Sequence, residues 1–123
     1  MPRPLLDDAH THPAIRNAIA THHQTIVREV QAAIAAHAVV VVGMGMNPFP
    51  KKARKALDAA GVAHHDLDYG NYFSQWRERN ALKMWTGWPT LPMVFVRGTL
   101  VGGANDLNKL IASGELKAML AGA

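Results

Sequence analysis

Apolar residues recur at helical spacing from Pro13 onward, with Ile15, Ile19, Ile26, Val30 and Ile34 on one broad face. Thr21-His22-His23-Gln24 has the form of a capping box, so residues 13–36 fit either one helix or two. Residues 1–12, with Pro2, Pro4 and Asp7-Asp8, show no period and are expected to fray. Ala38–Val42 is a continuous apolar run ending at Gly43, the mark of a strand covered on both faces. Asn47-Pro48 then supplies an N-cap and a first helical residue for a helix expected to reach Ala60 and stop at Gly61. Val62–Asp68 reads as a second strand, less apolar and so nearer an edge. The spacing predicts a helix over 71–85 that buries Phe73, Trp76, Leu82 and Trp85. Leu91–Val96, the Arg97-Gly98 turn and Thr99–Val101 make a hairpin. Gly102-Gly103 separates it from a helix over Asn105–Ala112, and a short helical tail follows the break at Ser113-Gly114.

The order helix, β, α, β, α, β, β, α predicts an α/β fold. The strand–helix–strand unit implies a parallel pair and the hairpin adds antiparallel strands, giving a mixed central sheet with helices on both faces.

A chain of 123 residues suits one domain, and 49% hydrophobic with 18% charged residues reads as globular. No apolar run approaches the roughly 20 residues that span a bilayer. No charged-then-apolar leader opens the chain, so a soluble, cytoplasmic protein without membrane contact is expected. Lys+Arg exceed Asp+Glu by 13 to 9, a net charge of +4. Lys51, Lys52, Arg54 and Lys55 carry part of it, and the run reads either as a solvated helix face or as an anion site. No nucleic-acid motif accompanies it, so no nucleic-acid partner is expected. His10-x-His12, His22-His23 and His64-His65 lack ligand spacing, so no metal site is expected. The chain contains no cysteine, which removes disulfides, thiolate ligands and a cysteine nucleophile.

Three segments, in order, resemble the glutaredoxin family, and the likeness covers roughly residues 25–120. Val39 through Arg54 is similar to that family's first strand, active-site loop and following helix. Trp88-Pro89-Thr90-Leu91-Pro92 resembles its Thr-x-Pro element, with the Trp-Pro prefix common in the monothiol branch. Gly102-Gly103-Ala104-Asn105-Asp106-Leu107 resembles its Gly-Gly-x-x-Asp segment. The resemblance implies a thioredoxin-like fold: a central four-stranded mixed sheet flanked by helices, with an extra N-terminal helix. It also implies a partly helical extension over residues 1–20 and a glutaredoxin-like domain over 21–123.

The active-site loop departs from the family. Asn47-Pro48-Phe49-Pro50 stands where the family has Cys-Pro-Tyr-Cys or Cys-Gly-Phe-Ser, so Asn47 takes the nucleophile's position and Pro50 the resolving one. Met44 replaces the usual basic residue before the loop. Thiol–disulfide exchange needs a thiolate, which a carboxamide cannot supply. The monothiol branch's glutathione-bridged iron–sulfur cluster would likewise lose its protein ligand.

The resemblance leaves binding residues in place. It implies that Pro92 is cis, with Thr90 beside it, and that the Leu91 backbone pairs with glutathione's cysteine. It further implies that Gly103, Ala104, Asn105 and Asp106 hold the γ-glutamyl end, while Arg79 and Lys83 meet the glycyl carboxylate. Trp88 reads as a packing residue. Phe49, Lys51 and Lys52 form a loop that a partner could contact, and the N–H groups of the helix start with those lysines suit an anion. The expectation is a non-catalytic module for glutathione or an extended peptide segment of a partner, with no cofactor required. The alternatives are a glutathione-dependent oxidoreductase or iron–sulfur role that uses ligand thiols only, and a protein–protein adaptor.

Overall fold

The computed structural model describes residues 8–21, 24–71 and 74–121. A single 3-10 turn over Asp8–His10 precedes α1 (Pro13–Thr21) and α2 (Gln24–Ala36). The chain continues through β1 (Val39–Gly43), α3 (Pro48–Ala59), β2 (His65–Asp68), α4 (Trp76–Thr86), β3 (Met93–Val96), β4 (Thr99–Gly102), α5 (Ala104–Ser113) and α6 (Glu115–Ala121). Residues 13–36 thus form two helices, and His22 and His23 of the expected capping box lie outside the described residues. His12 starts α1 by accepting the N–H groups of Ile15 and Arg16 on its carbonyl and that of Ala14 on Nδ1.

The sheet runs β2-β1-β3-β4. β1 pairs parallel with β2 and antiparallel with β3, and β3 pairs antiparallel with β4. This is the thioredoxin-like architecture. Alternation along β1 and β3 divides the core. Val40, Val42, Met93 and Phe95 pack against Ile26 and Val30 of α2 and Ala81 and Leu82 of α4. Val39, Val41, Val94 and Val96 pack against Ala53 and Leu57 of α3, Leu107 of α5 and Leu116 of α6. Because successive side chains point to opposite faces, two central strands serve both layers, and their apolar runs have no polar face.

Two elements differ from the sequence expectation. β2 begins only at His65, and its alternating half-buried pattern marks an edge strand. α4 begins at Trp76, because Asn71 and Ser74 close a turn through Asn71 N–H to Ser74 Oγ at 3.2 Å, and Gln75 follows in the left-handed region. Trp76 is therefore on the first turn and exposed, under the Arg77 guanidinium, instead of buried. Leu82 is fully buried, Trp85 is partly exposed but stacks on Phe95 at 6.1 Å, and Phe73 lies outside the described residues. No helix among the described residues is long and apolar enough to cross a membrane.

Candidate functional site

Two strand-to-helix loops, β1–α3 and β4–α5, and the segment that leads into β3 meet at one end of the sheet. The loop after β1 carries Asn47, the N-cap of α3. Its Oδ1 accepts the Phe49 N–H at 3.0 Å, and its Nδ2 donates a long bond of 3.4 Å to the Leu91 carbonyl. The carboxamide therefore ties the start of α3 to the segment before β3. Pro48 and Pro50 occupy the first and third helical positions and have no N–H. Of the first three residues of α3 only Phe49 offers a donor, and Asn47 takes it. The backbone contribution to the expected anion site at this helix start is correspondingly lost.

Pro50 is buried against Gly43, where a Cβ would come within 2.7 Å of the proline ring. Lys51, Lys52 and Lys55 line the exposed side of α3, and Lys52 Nζ sits 5.0 Å above the Phe49 ring. Arg54 leaves that cationic run. Its Nη2 is 2.7 Å from Asp68, and its Nε approaches Asp66 at 3.3 Å as a charge contact, not an aligned hydrogen bond.

The Leu91–Pro92 bond is cis. It directs the chain from Trp88-Pro89-Thr90 into β3, beside the start of α5. There Asp106, the third helical residue, accepts the N–H of the N-cap Gly103 at 3.0 Å. Gly102, at φ 109, lets that carboxylate come close, since a Cβ here would lie 2.5 Å from Asp106 Oδ2.

Together these segments enclose a cleft of about 490 Å³ lined by Met44, Asn47, Phe49, Lys83, Trp88, Pro89, Thr90, Leu91, Pro92, Gly103, Ala104, Asn105 and Asp106. Its walls are polarised. Asp106 and Lys83 are charged, whereas Met44, Phe49, Trp88, Leu91 and the prolines are apolar. Trp88 both packs on the core and lines the cleft, and its buried Nε1 has no hydrogen-bond partner among the described residues.

Most residues singled out in the sequence converge here, with three exceptions. Arg79 is buried beneath the β2–α4 connection, where its Nη1 donates to the carbonyls of Tyr69 and Ser74, so its guanidinium does not line the cleft. This corrects its placement beside Lys83; the turn that delays α4 creates the carbonyls that draw it inward. Lys51 and Lys52 stand on the exposed side of α3, outside the cleft lining. In the sequence Met44 stands out only as the replacement of a basic residue, Pro89 only as part of the Trp-Pro prefix, and Trp88 chiefly for packing; the structure lines the cleft with all three.

Comparison with known proteins agrees with this geometry. The family model described as Glutaredoxin matches residues 39–101. A "Glutaredoxin-like protein" of Dictyostelium discoideum is 46% identical over 102 residues, covering 83% of each chain. A probable monothiol glutaredoxin 2 of Rickettsia felis is 36% identical over 74 residues, 60% of this chain and 68% of its own. Among solved structures, oxidised glutaredoxin 2 of Chlamydomonas reinhardtii superposes with TM-score 0.69 at 26% identity, over 80% of this chain and 94% of that one. A buckwheat glutaredoxin–glutathione complex shares the fold with TM-score 0.70 at 21% identity, over 82% and 92% of the two chains. The chain belongs to the glutaredoxin family. Within it, this chain is a cysteine-free, glutaredoxin-like protein.

The donor set does not fit a glutathione-bridged iron–sulfur cluster. The position that would supply sulfur holds the Asn47 carboxamide, with both ends engaged to the backbone. Nor do the described residues contain a group of three or more His, Cys, Asp or Glu able to hold a metal ion.

Proposed function

We propose that this chain is a redox-silent binding module whose cleft holds glutathione, or an extended peptide segment of a partner, without turning it over. The observation that carries the reading is the convergence of the cis Leu91–Pro92 segment and the α5 start on one cleft, with a carboxamide where a thiol would stand. Backbone pairing at Leu91 needs no particular side chain, so it is separable from thiol chemistry. A ligand that pairs with the Leu91 carbonyl competes with the Asn47 Nδ2 bond, whose 3.4 Å length makes it a weak competitor. Lys83 suits a carboxylate at one end of the ligand and Asp106 an ammonium at the other. That a neighbour of the same fold forms a glutathione complex supports glutathione as the ligand.

Calorimetric titration with reduced glutathione tests the reading: saturable heat is expected, and none at millimolar ligand removes the small-molecule form. Steady reduction of a glutathione mixed disulfide by the purified chain would overturn its redox silence.

A further inference from the structure

We infer that the cleft prefers γ-glutamyl-cysteinyl peptides whose sulfur is capped as a thioether over the same peptides with a free thiol. The inference rests on the binding reading above and names the ligand class of that site. The cysteinyl sulfur of a ligand paired at Leu91 would face Asn47. That residue offers it little: Oδ1 holds the Phe49 N–H, and the Nδ2 that a ligand frees by taking the Leu91 carbonyl gives only a neutral amide donor. The adjacent helix start does not compensate, since Pro48 and Pro50 have no N–H to give. A thiolate placed there loses water and gains at most a neutral amide donor from Asn47 and no positive charge, so the site does little to hold the free thiol in its reactive form.

The side chains around the same spot are apolar. Phe49 lines the cleft at 45% exposure, so one side of its ring is available to be covered, and Met44 and Leu91 are buried beside it. The charged groups, Lys83 and Asp106, are contributed by α4 and α5. A matching ligand is charged along its peptide and carries an apolar group on sulfur. Such a thioether can neither be attacked nor exchange, in keeping with a cleft that has no nucleophile.

The test is parallel titration of the full chain with reduced glutathione and S-hexylglutathione, with 1-hexanol as a control for the tail alone. Burial of three methylenes at about fourfold each gives a preference of roughly sixtyfold for the thioether. Displacement of glutathione by S-hexylglutathione, no binding of hexanol, and a preference reduced at least fivefold by Phe49→Ala are the expected results. Equal affinities, a stronger free thiol, or a preference that Phe49→Ala leaves intact would overturn the inference while the binding reading stands. Binding of neither peptide would remove the binding reading itself.

Discussion

Asn47 shows how one substitution changes a site's chemistry while keeping its geometry. As an N-cap it satisfies one of the donors a helix start leaves open, and its second hydrogen bond reaches across to Leu91. Asn47→Ala should therefore destabilise the chain by about 1 kcal/mol, read from denaturant unfolding. Asn47→Cys has a different consequence: the thiol gains the Phe49 N–H that Asn47 had occupied, and the thiolate is stabilised by one donor. Adding Pro50→Ser supplies a second N–H in the same turn. Alkylation at neutral pH should be several-fold faster in the double variant than in Asn47→Cys, at about the gain expected when helix-start donors lower a thiol pKa. Equal rates would show that the proline does not limit the site. The identity of Asn47 and both prolines could be read directly from the sequence. That the carboxamide's two ends are both engaged could not, because the Leu91 contact joins residues far apart in the chain.

At the scale of elements, the edge between α3 and β2 is held by charge. His64 Nδ1 lies 2.6 Å from Asp66 and Nε2 2.8 Å from Asp58, so one imidazole joins the C-terminal half of α3 to the entry of β2. Arg54 approaches the same strand through Asp66 and Asp68. Burial alone would lower the His64 pKa, but the hydrogen bonds to Asp58 and Asp66 and their charges outweigh it and raise it above the ordinary value. A raised folded-state pKa means that the folded protein binds the proton more tightly than the unfolded chain. The stabilisation is thus complete below the unfolded value of about 6.5 and is lost as pH rises through the higher folded value. Unfolding midpoints should fall across that interval in the native chain, and His64→Gln should flatten the fall. An unchanged pH profile in the variant would assign the dependence to another group. Tyr69, pushed up to about 12 by burial and then by the charge of Glu29, belongs to a separate, more alkaline window.

This element scale is also where sequence reading was least complete. β1 and the start of α3 were legible because a β-branched run and an Asn-Pro pair are local signals. The start of α4 was not, since the Asn71–Ser74 turn depends on a side-chain hydroxyl bond and on Gln75 adopting a positive φ that its residue type does not announce. The misplacement of Arg79 follows from that, as a helix begun earlier has no carbonyls for its guanidinium to fill.

At the scale of the whole molecule, the fold is set by the central strands and their helices, and the site by the loops at one end of them. Those loops reach into both halves of the core through Met44, Leu91 and Ala104. The order of elements, and so a mixed sheet covered by helices, was legible because two central strands buried on both faces need only apolar residues in sequence. The thioredoxin-like architecture was legible only through the family resemblance. The cleft is a product of long-range closure: its Trp88–Pro92 wall was legible through the resemblance, but the apposition of Met44 and Phe49 to that wall was not. That division predicts separable energetics. Leu57, fully buried in the second half of α3, should cost about 2–5 kcal/mol when replaced by alanine. Glutathione at ten times its dissociation constant should add about 1.4 kcal/mol by mass action. In a domain of this size that is a rise of roughly 5 °C in Tm. Leu57 does not itself line the cleft, so Leu57→Ala should lower the baseline Tm and retain the ligand-induced rise at the same ligand-to-Kd ratio. Lys83→Ala should do the reverse, keeping the baseline within about 1 kcal/mol because Lys83 is only half-buried and alanine favours the helix, and losing most of the rise at fixed ligand concentration. Thermal scans of the two variants with and without ligand decide it. A Leu57→Ala protein that folds but shows no ligand shift at that ratio would mean that the cleft is assembled only by the fully packed core, and that binding and folding form one cooperative unit.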